Sequence, residues 1–175
     1  GATNLITGVA DAFLDRSPLV ALTGQADLER MHKESHQHID IVSMFRPVTK
    51  WNARLNSSRV IPEVVRKAFK VAEQQKPGPA HIELPEDVMA DEVDGTPLPQ
   101  RRVRRRPEPS GDELQAALDV IAGAAHPIVL AGNGVARTGS APALRKFAMQ
   151  TGIGVAETFM GKGVLDYEDP RSLGT

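Results

Sequence analysis

Apolar residues recur at helical spacing in the first segment, where Leu5, Ile6, Val9, Ala10, Phe13 and Leu14 share one side of a helix expected from Ala2 to Arg16. Thr3 or Asn4 stands near its start, and Ser17-Pro18 ends it because the residue before proline is pushed out of the α region. The unbroken apolar run Leu19 to Leu22 predicts a strand buried on both faces. Thr23-Gly24-Gln25 reads as a turn at its carboxyl end, a common ligand position in open α/β sheets. Ala26 to His38 is polar, Asp40 to Phe45 predicts a short helix stopped by Pro47, and Thr49 to Leu55 predicts a strand. Ile61, Val64, Val65, Ala68, Phe69 and Ala72 form the apolar stripe of a longer helix, capped by Ser57 or Ser58 and tolerating Pro62 in its first turn. Pro77-Gly78-Pro79 breaks that helix, and Ala80 to Leu84 is the next strand.

From Met89 to Gly111 the pattern lapses. Four prolines (Pro97, Pro99, Pro107, Pro109) and the arginines 101, 102, 104, 105 and 106 oppose a packed helix or central strand, which predicts a solvated connector between domains. Locally the arginines would attract phosphate, but the flanks add no basic or aromatic surface. A second pattern starts at Asp112: Leu114, Ala117, Leu118 and Ile121 repeat at helical spacing, and Ile128 to Ala131 is a buried-strand candidate. The loop Gly132-Asn133-Gly134-Val135 follows, then a helix from Ala141 to Thr151 with Leu144, Phe147 and Ala148 inward, a strand from Gly154 to Thr158, and the loop Gly161-Lys162-Gly163. Strands alternating with helices at these lengths predict α/β layering.

Composition narrows the function classes. The chain of 175 residues is 41% hydrophobic, enough for a sizeable core, and its formal charge of -1 creates no field that would recruit nucleic acid or an anionic membrane. Aromatics, at 4%, are too few for a base-stacking surface. The absence of cysteine excludes disulfides, thiolate nucleophiles and cysteine-ligated metals within the chain. No apolar run approaches the ~18 residues of a membrane helix, and the first residues do not read as a signal peptide. A soluble cytoplasmic protein is the expectation.

Among candidate chemistry, Gly132-Asn133-Gly134 is the sharpest physical lead, because small residues after a strand let backbone approach a ligand. Val135 and Ala136 leave the dinucleotide fingerprint incomplete, and Gly161-Lys162-Gly163 is not a Walker loop. His32, His36 and His38 do not complete a zinc set, so no metal ligand is expected in this chain. His81 reads as an interface or satisfied internal histidine, and Glu83, Glu86 and Asp87 as exposed carboxylates at a strand end.

Several stretches, in order along nearly the whole chain, carry a resemblance. They are Gly1 to Gly8, Asp11-Ala12-Phe13, Pro18 to Gln25, Asp40-Ile41-Val42, Arg46 to Asn52, Pro77-Gly78-Pro79, Ile82 to Val88 and Met160 to Gly163. Together they resemble the catalytic subunits of the acetolactate synthase family of thiamine-diphosphate enzymes. The resemblance implies an α/β chain holding the C-terminal part of a pyrimidine-binding parallel-sheet domain (1–90), a linker (91–111), and the N-terminal part of a Rossmann-like central domain (112–175). It also implies that the whole enzyme uses thiamine diphosphate and Mg2+, with FAD in some members, and works as a homodimer or homotetramer. Pyruvate would be decarboxylated on the cofactor and its two-carbon unit joined to a second 2-oxo acid. The family's activating glutamate would lie upstream and its metal motif downstream, so the chain alone is expected to be inactive.

Residue by residue, Asn4 matches an asparagine near the cofactor pyrimidine, and Gln37 a glutamine on the reacting side of the cofactor. Arg46, Gly132, Asn133, Gly134, Thr158, Phe159 and Met160 match flavin-contacting positions. Two departures stand out. The family's Phe-Gln pair is His36-Gln37 here, which makes His36 a titratable neighbour of the reaction path, and its Pro-Lys-Asp motif is Pro85-Glu86-Asp87. A glyoxylate carboligase-like or other 2-oxo-acid enzyme therefore stands as one alternative, and a non-catalytic nucleotide-binding module as another.

Overall fold

The elements expected from the apolar periodicity are present in the computed structural model, which describes residues 1–99 and 108–175. The arginine run at 101–106 and Pro107 lie outside the described residues. The chain divides into two compact units, Gly1–Arg106 and Pro107–Thr175.

In the first unit, α1 (Ala2–Leu14) buries Val9 and Ala12, and the chain leaves it through Arg16 at φ 58 before Pro18. Three parallel strands follow with helices between them: β1 (Leu19–Gln25), β2 (Trp51–Arg54) and β3 (Pro79–Pro85). The sheet order is β1-β3-β2, which puts the last strand in the middle. Central placement explains why β3 is buried along nearly its whole length even though it carries His81 and Glu83. Two helices lie between β1 and β3 in sequence. α2 (Ile41–Phe45) is capped by Asp40, whose side chain accepts from Ser43 N–H, and continues into a 3-10 turn at Arg46–Val48. α3 (Ile61–Glu73) starts after a 3-10 turn at Ser58–Val60 that Ser57 caps. Lys50 Nζ donates to the carbonyls of Val71 and Gln74 at the end of α3, placing a cation where the helix dipole is negative. The short α4 (Glu86–Ala90) leads out of β3.

Each face of the sheet has its own core. Leu55, Ala68, Ala72, Ala80, Ile82 and Val88 pack beneath α3, and Val9, Ala21, Ile41 and Phe45 pack beneath α1 and α2. Three expectations are corrected here. Thr23-Gly24-Gln25 is strand, not turn, because β1 pairs with β3 through Gln25↔Pro85. β1 is an edge strand, so Leu22 is 56% exposed and not buried on both faces. Val65 and Phe69 belong to the apolar stripe of α3 but stand exposed, beyond the arc the sheet covers.

The second unit contains α5 (Gly111–Gly123), β4 (Ile128–Ala131), α6 (Asn133–Thr138), α7 (Ala141–Thr151) and β5 (Gly154–Glu157). β4 and β5 are parallel, and their core is Ala131, Ala148, Val155, Val164 and Leu165. The expected glycine loop is in fact the start of a helix: Gly132 is the extended N-cap residue and α6 begins at Asn133. α6 closes on Gly139 at φ 69, and α7 on Gly152 at φ 72, the left-handed cap that glycine adopts without steric cost.

Candidate functional site

On the α1/α2 face of the first sheet, the carboxyl halves of the strands carry a buried polar layer. The register sets Thr23 beside Glu83 and Arg54 in one row, and Ala21 beside His81 and Asn52 in the row before. Thr23 reaches diagonally, its Oγ1 2.8 Å from His81 Nε2. The imidazole stacks on Phe45 with centroids 4.2 Å apart, and its Nδ1 is buried without a hydrogen-bond partner among the described residues. Burial pushes His81 down to about 4, against the pull of the Glu83 carboxylate, so the ring is neutral at physiological pH. The expected internal histidine is therefore internal but only half satisfied. Glu83 corrects another expectation. It is not exposed at a strand end but fully buried, ion-paired with Arg54 through one oxygen and accepting from Gln25 Nε2 at 3.1 Å through the other. A buried carboxylate needs such partners, since desolvation without them costs several kcal/mol.

The polar loop carrying His36 and Gln37 rises beyond the carboxyl end of β1. His36 and Gln37 are exposed, and Gln37 holds φ 61, a left-handed backbone uncommon for a residue with a side chain. Strain of that kind concentrates at ligand sites and switch regions. Asn4 is exposed in the first turn of α1, and Arg46 is exposed at the end of α2. Among the described residues no group of three or more His, Asp or Glu side chains is placed to hold a metal ion.

In the second unit the structure brings one set of sequence-nominated residues together. Gly132, Asn133 and Gly134 follow β4, while Thr158, Phe159 and Met160 follow the parallel neighbour β5, so both segments lie at the same edge of the sheet. Thr158 N–H donates to the Ala131 carbonyl at 2.9 Å, and a β-carbon on Gly132 would meet Thr158 Oγ1 at 3.8 Å. Phe159 is 86% exposed and Met160 is exposed, leaving an apolar tip beside the start of α6. Gly161 holds this arrangement: a β-carbon there would stand 2.4 Å from the Ala131 carbonyl oxygen. Glu157, buried at the end of β5, accepts from Gly163 N–H at 3.0 Å and from Leu165 N–H at 2.8 Å, fixing the loop's return.

Sequence reasoning missed Gln25, Arg54 and Glu157 as members of these networks. Alternation along β1 could have placed Gln25 on the same face as Ala21 and Thr23; Glu157 carried no such signal.

Parallel strands joined through helices define an α/β class of protein, in which ligands commonly bind outside the carboxyl ends of the strands. Two models of one family match the chain in order: the N-terminal TPP binding domain of thiamine pyrophosphate enzymes at residues 1–44, and the central domain of thiamine pyrophosphate enzymes at residues 114–175. The chain belongs to the thiamine pyrophosphate enzyme family. It is similar to the probable acetolactate synthase large subunit of Methanococcus aeolicus, at 40% identity over 99% of this chain and 30% of that protein. Its counterpart in Methanocaldococcus jannaschii is 39% identical over 99% of this chain and 30% of that protein. The glyoxylate carboligase of Escherichia coli O157:H7 is 32% identical over 93% of this chain and 28% of that protein. The chain thus spans about 30% of the length of the curated relatives it matches best among these.

Proposed function

We propose that the chain is part of an acetolactate synthase, contributing residues 1–90 to a pyrimidine-binding domain and 112–175 to a central domain. The observation that carries this reading is Gln37: an exposed amide, held on a left-handed backbone, on a loop beyond the carboxyl end of β1. Thiamine diphosphate, when bound, supplies the electron sink for decarboxylation of a 2-oxo acid such as pyruvate. The Gln37 amide both donates and accepts, and it orients a substrate carboxylate or carbonyl without titrating. His36 beside it adds a group able to carry a proton, and Asn4 offers a polar contact to the cofactor's pyrimidine.

In this reading the whole protein also uses Mg2+. For FAD the adjacent segments Gly132–Gly134 and Thr158–Met160 support an edge where backbone and an apolar tip meet a flat ring. In this reading the whole protein acts as a homodimer or homotetramer, and the 175-residue chain by itself produces no acetolactate.

A second reading is favoured by His36 and by Glu86, an exposed carboxylate in the first turn of α4, together with the similarity to a glyoxylate carboligase. Offering the whole protein pyruvate and glyoxylate separately, with products identified directly, tests both. Acetolactate from pyruvate, with kcat reduced at least tenfold in Gln37→Ala, is the expected result; pyruvate consumption without acetolactate overturns the named reaction.

A further inference from the structure

The loop between β1 and α2 is fastened at both of its feet by one side chain. Gln25 Oε1 accepts from Ala26 N–H at 3.0 Å, where the chain leaves the strand, and Gln25 Nε2 donates at 2.8 Å to the Ile39 carbonyl, where it returns. The second proton of the same amide goes to Glu83 Oε1 at 3.1 Å, and the other Glu83 oxygen is ion-paired with Arg54. A line of polar contacts therefore crosses all three strands, from β2 through β3 to β1, and ends on the loop. Asp87 adds a third fastening, accepting from Leu28 N–H at 3.1 Å. Between these points the bonds are local: Lys33 N–H to the Arg30 carbonyl at 3.1 Å, Ser35 Oγ to the same carbonyl at 2.9 Å, and His38 N–H to the Ser35 carbonyl at 3.1 Å.

We infer that Gln25, oriented by Glu83 and Arg54, is the positioning residue for the loop that carries His36 and Gln37. This rests on the proposed role of Gln37. The chemistry at position 25 is specific. An amide supplies two protons and an acceptor, and all are used here. A carboxylate would face Glu83 with like charge, and an apolar side chain would leave the Ile39 carbonyl and the Glu83 oxygen without their donor. Glu83 in turn is fixed because its charge is buried against Arg54. Gln25 itself is buried and its hydrogen bonds go to Ala26, Ile39 and Glu83, so it acts on the candidate residues through the backbone of the loop.

The test uses the whole protein in four forms: wild type, Gln25→Met, Glu83→Gln and Gln37→Ala. Hydrogen exchange is followed in the loop at residues 28–38 and, as internal control, in α3. In Gln25→Met, loop exchange rises roughly tenfold or more while α3 keeps its protection, and kcat falls roughly tenfold or more with a smaller change in KM, because the three hydrogen bonds of the amide are unmade together. Glu83→Gln removes the charge paired with Arg54 and turns an amide N–H towards either that guanidinium or Gln25 Nε2. Loop exchange therefore rises and kcat falls in the same direction as in Gln25→Met; unchanged loop exchange here would remove Glu83 from the relay. Unchanged loop exchange in Gln25→Met overturns the inference. So does exchange that rises equally in α3, because the role is then only structural. Gln37→Ala separates the two claims: unchanged kcat there removes the proposed role of Gln37, while the exchange result still decides the clamp.

Discussion

The two units use the same parallel-strand layout but cover it differently. In the first, helices pack both faces of a three-stranded sheet, and a polar network with a buried charge sits inside the α1/α2 layer. In the second, two strands are backed by α7 and the return loop, while Ile128 and Leu130 of β4 stand 65% and 70% exposed and α5 buries no residue. A sheet covered on both sides can enclose an ion pair and aim it at a loop. A two-stranded sheet open on one side has to hold its loop by steric fit, through a missing β-carbon at Gly161, and by the carboxylate of Glu157. The difference predicts that the second unit is sensitive to a single volume change, and the first to a single proton.

The largest effect is expected from Gly161→Ala. The added carbon meets backbone, the Ala131 carbonyl, which cannot swing aside as a side chain would. A cost of about 3 kcal/mol or more, at the upper end for overpacking, should loosen β4 and β5. Hydrogen exchange should show lost protection at residues 154–157 with no change in β3; equal loss in both sheets would erase the contrast between the units.

Next comes the proton. His81 is neutral in the folded chain because burial holds it near 4, whereas an unfolded histidine takes up its proton near the ordinary 6.5. As pH falls from about 6.5 towards 4 the unfolded state binds more protons, so stability of the first unit declines through that window and levels off below it. The limit is about 3 kcal/mol. Urea denaturation between pH 7 and 4.5, read from Trp51 fluorescence, should show the slope in wild type and a flattened slope in His81→Phe, which keeps the stack on Phe45. A slope unaltered by that substitution would assign the acid sensitivity elsewhere.

Where the sequence was readable follows from the same physics. Parallel strands appear as short apolar runs, so Ile128 to Ala131 was bounded correctly, although Ile128 and Leu130 are exposed rather than buried as expected, and Ala141 to Thr151 was marked by its periodicity. The polar layer was hidden because its members are far apart: Arg54 and Glu83 are 29 positions apart and Thr23 and His81 are 58, and they meet only once the strand register is set. Gln25 was misread as part of a turn because Thr-Gly-Gln looks like one locally, while pairing with β3 carries the strand through it. Of the nominated residues, the segments after β4 and β5 come together because parallel neighbours end at one edge. Asn4 and Gln37 lie on separate elements, where neither periodicity nor spacing could have related them.

The smallest effect sharpens the contrast from the other side. α5 has no buried residue, so tertiary packing contributes little to it here and local chemistry must carry it. Its local chemistry is a complete capping box: Ser110 Oγ accepts from Glu113 N–H at 3.3 Å, and Glu113 Oε2 accepts from Ser110 N–H at 2.8 Å. Those bonds to Ser110 hold the Glu113 carboxyl below its ordinary range. Ser110→Ala should therefore cost about 1 kcal/mol, visible as reduced helical circular dichroism and faster exchange at the start of α5, with β4 and β5 undisturbed. Leu118, 46% exposed on the same helix, should be replaceable by alanine with less loss than the cap. If Leu118→Ala instead costs more than Ser110→Ala in the whole protein, the apolar face of α5 is packed there against something these described residues do not contain, and the open character of the second unit belongs to the chain in isolation.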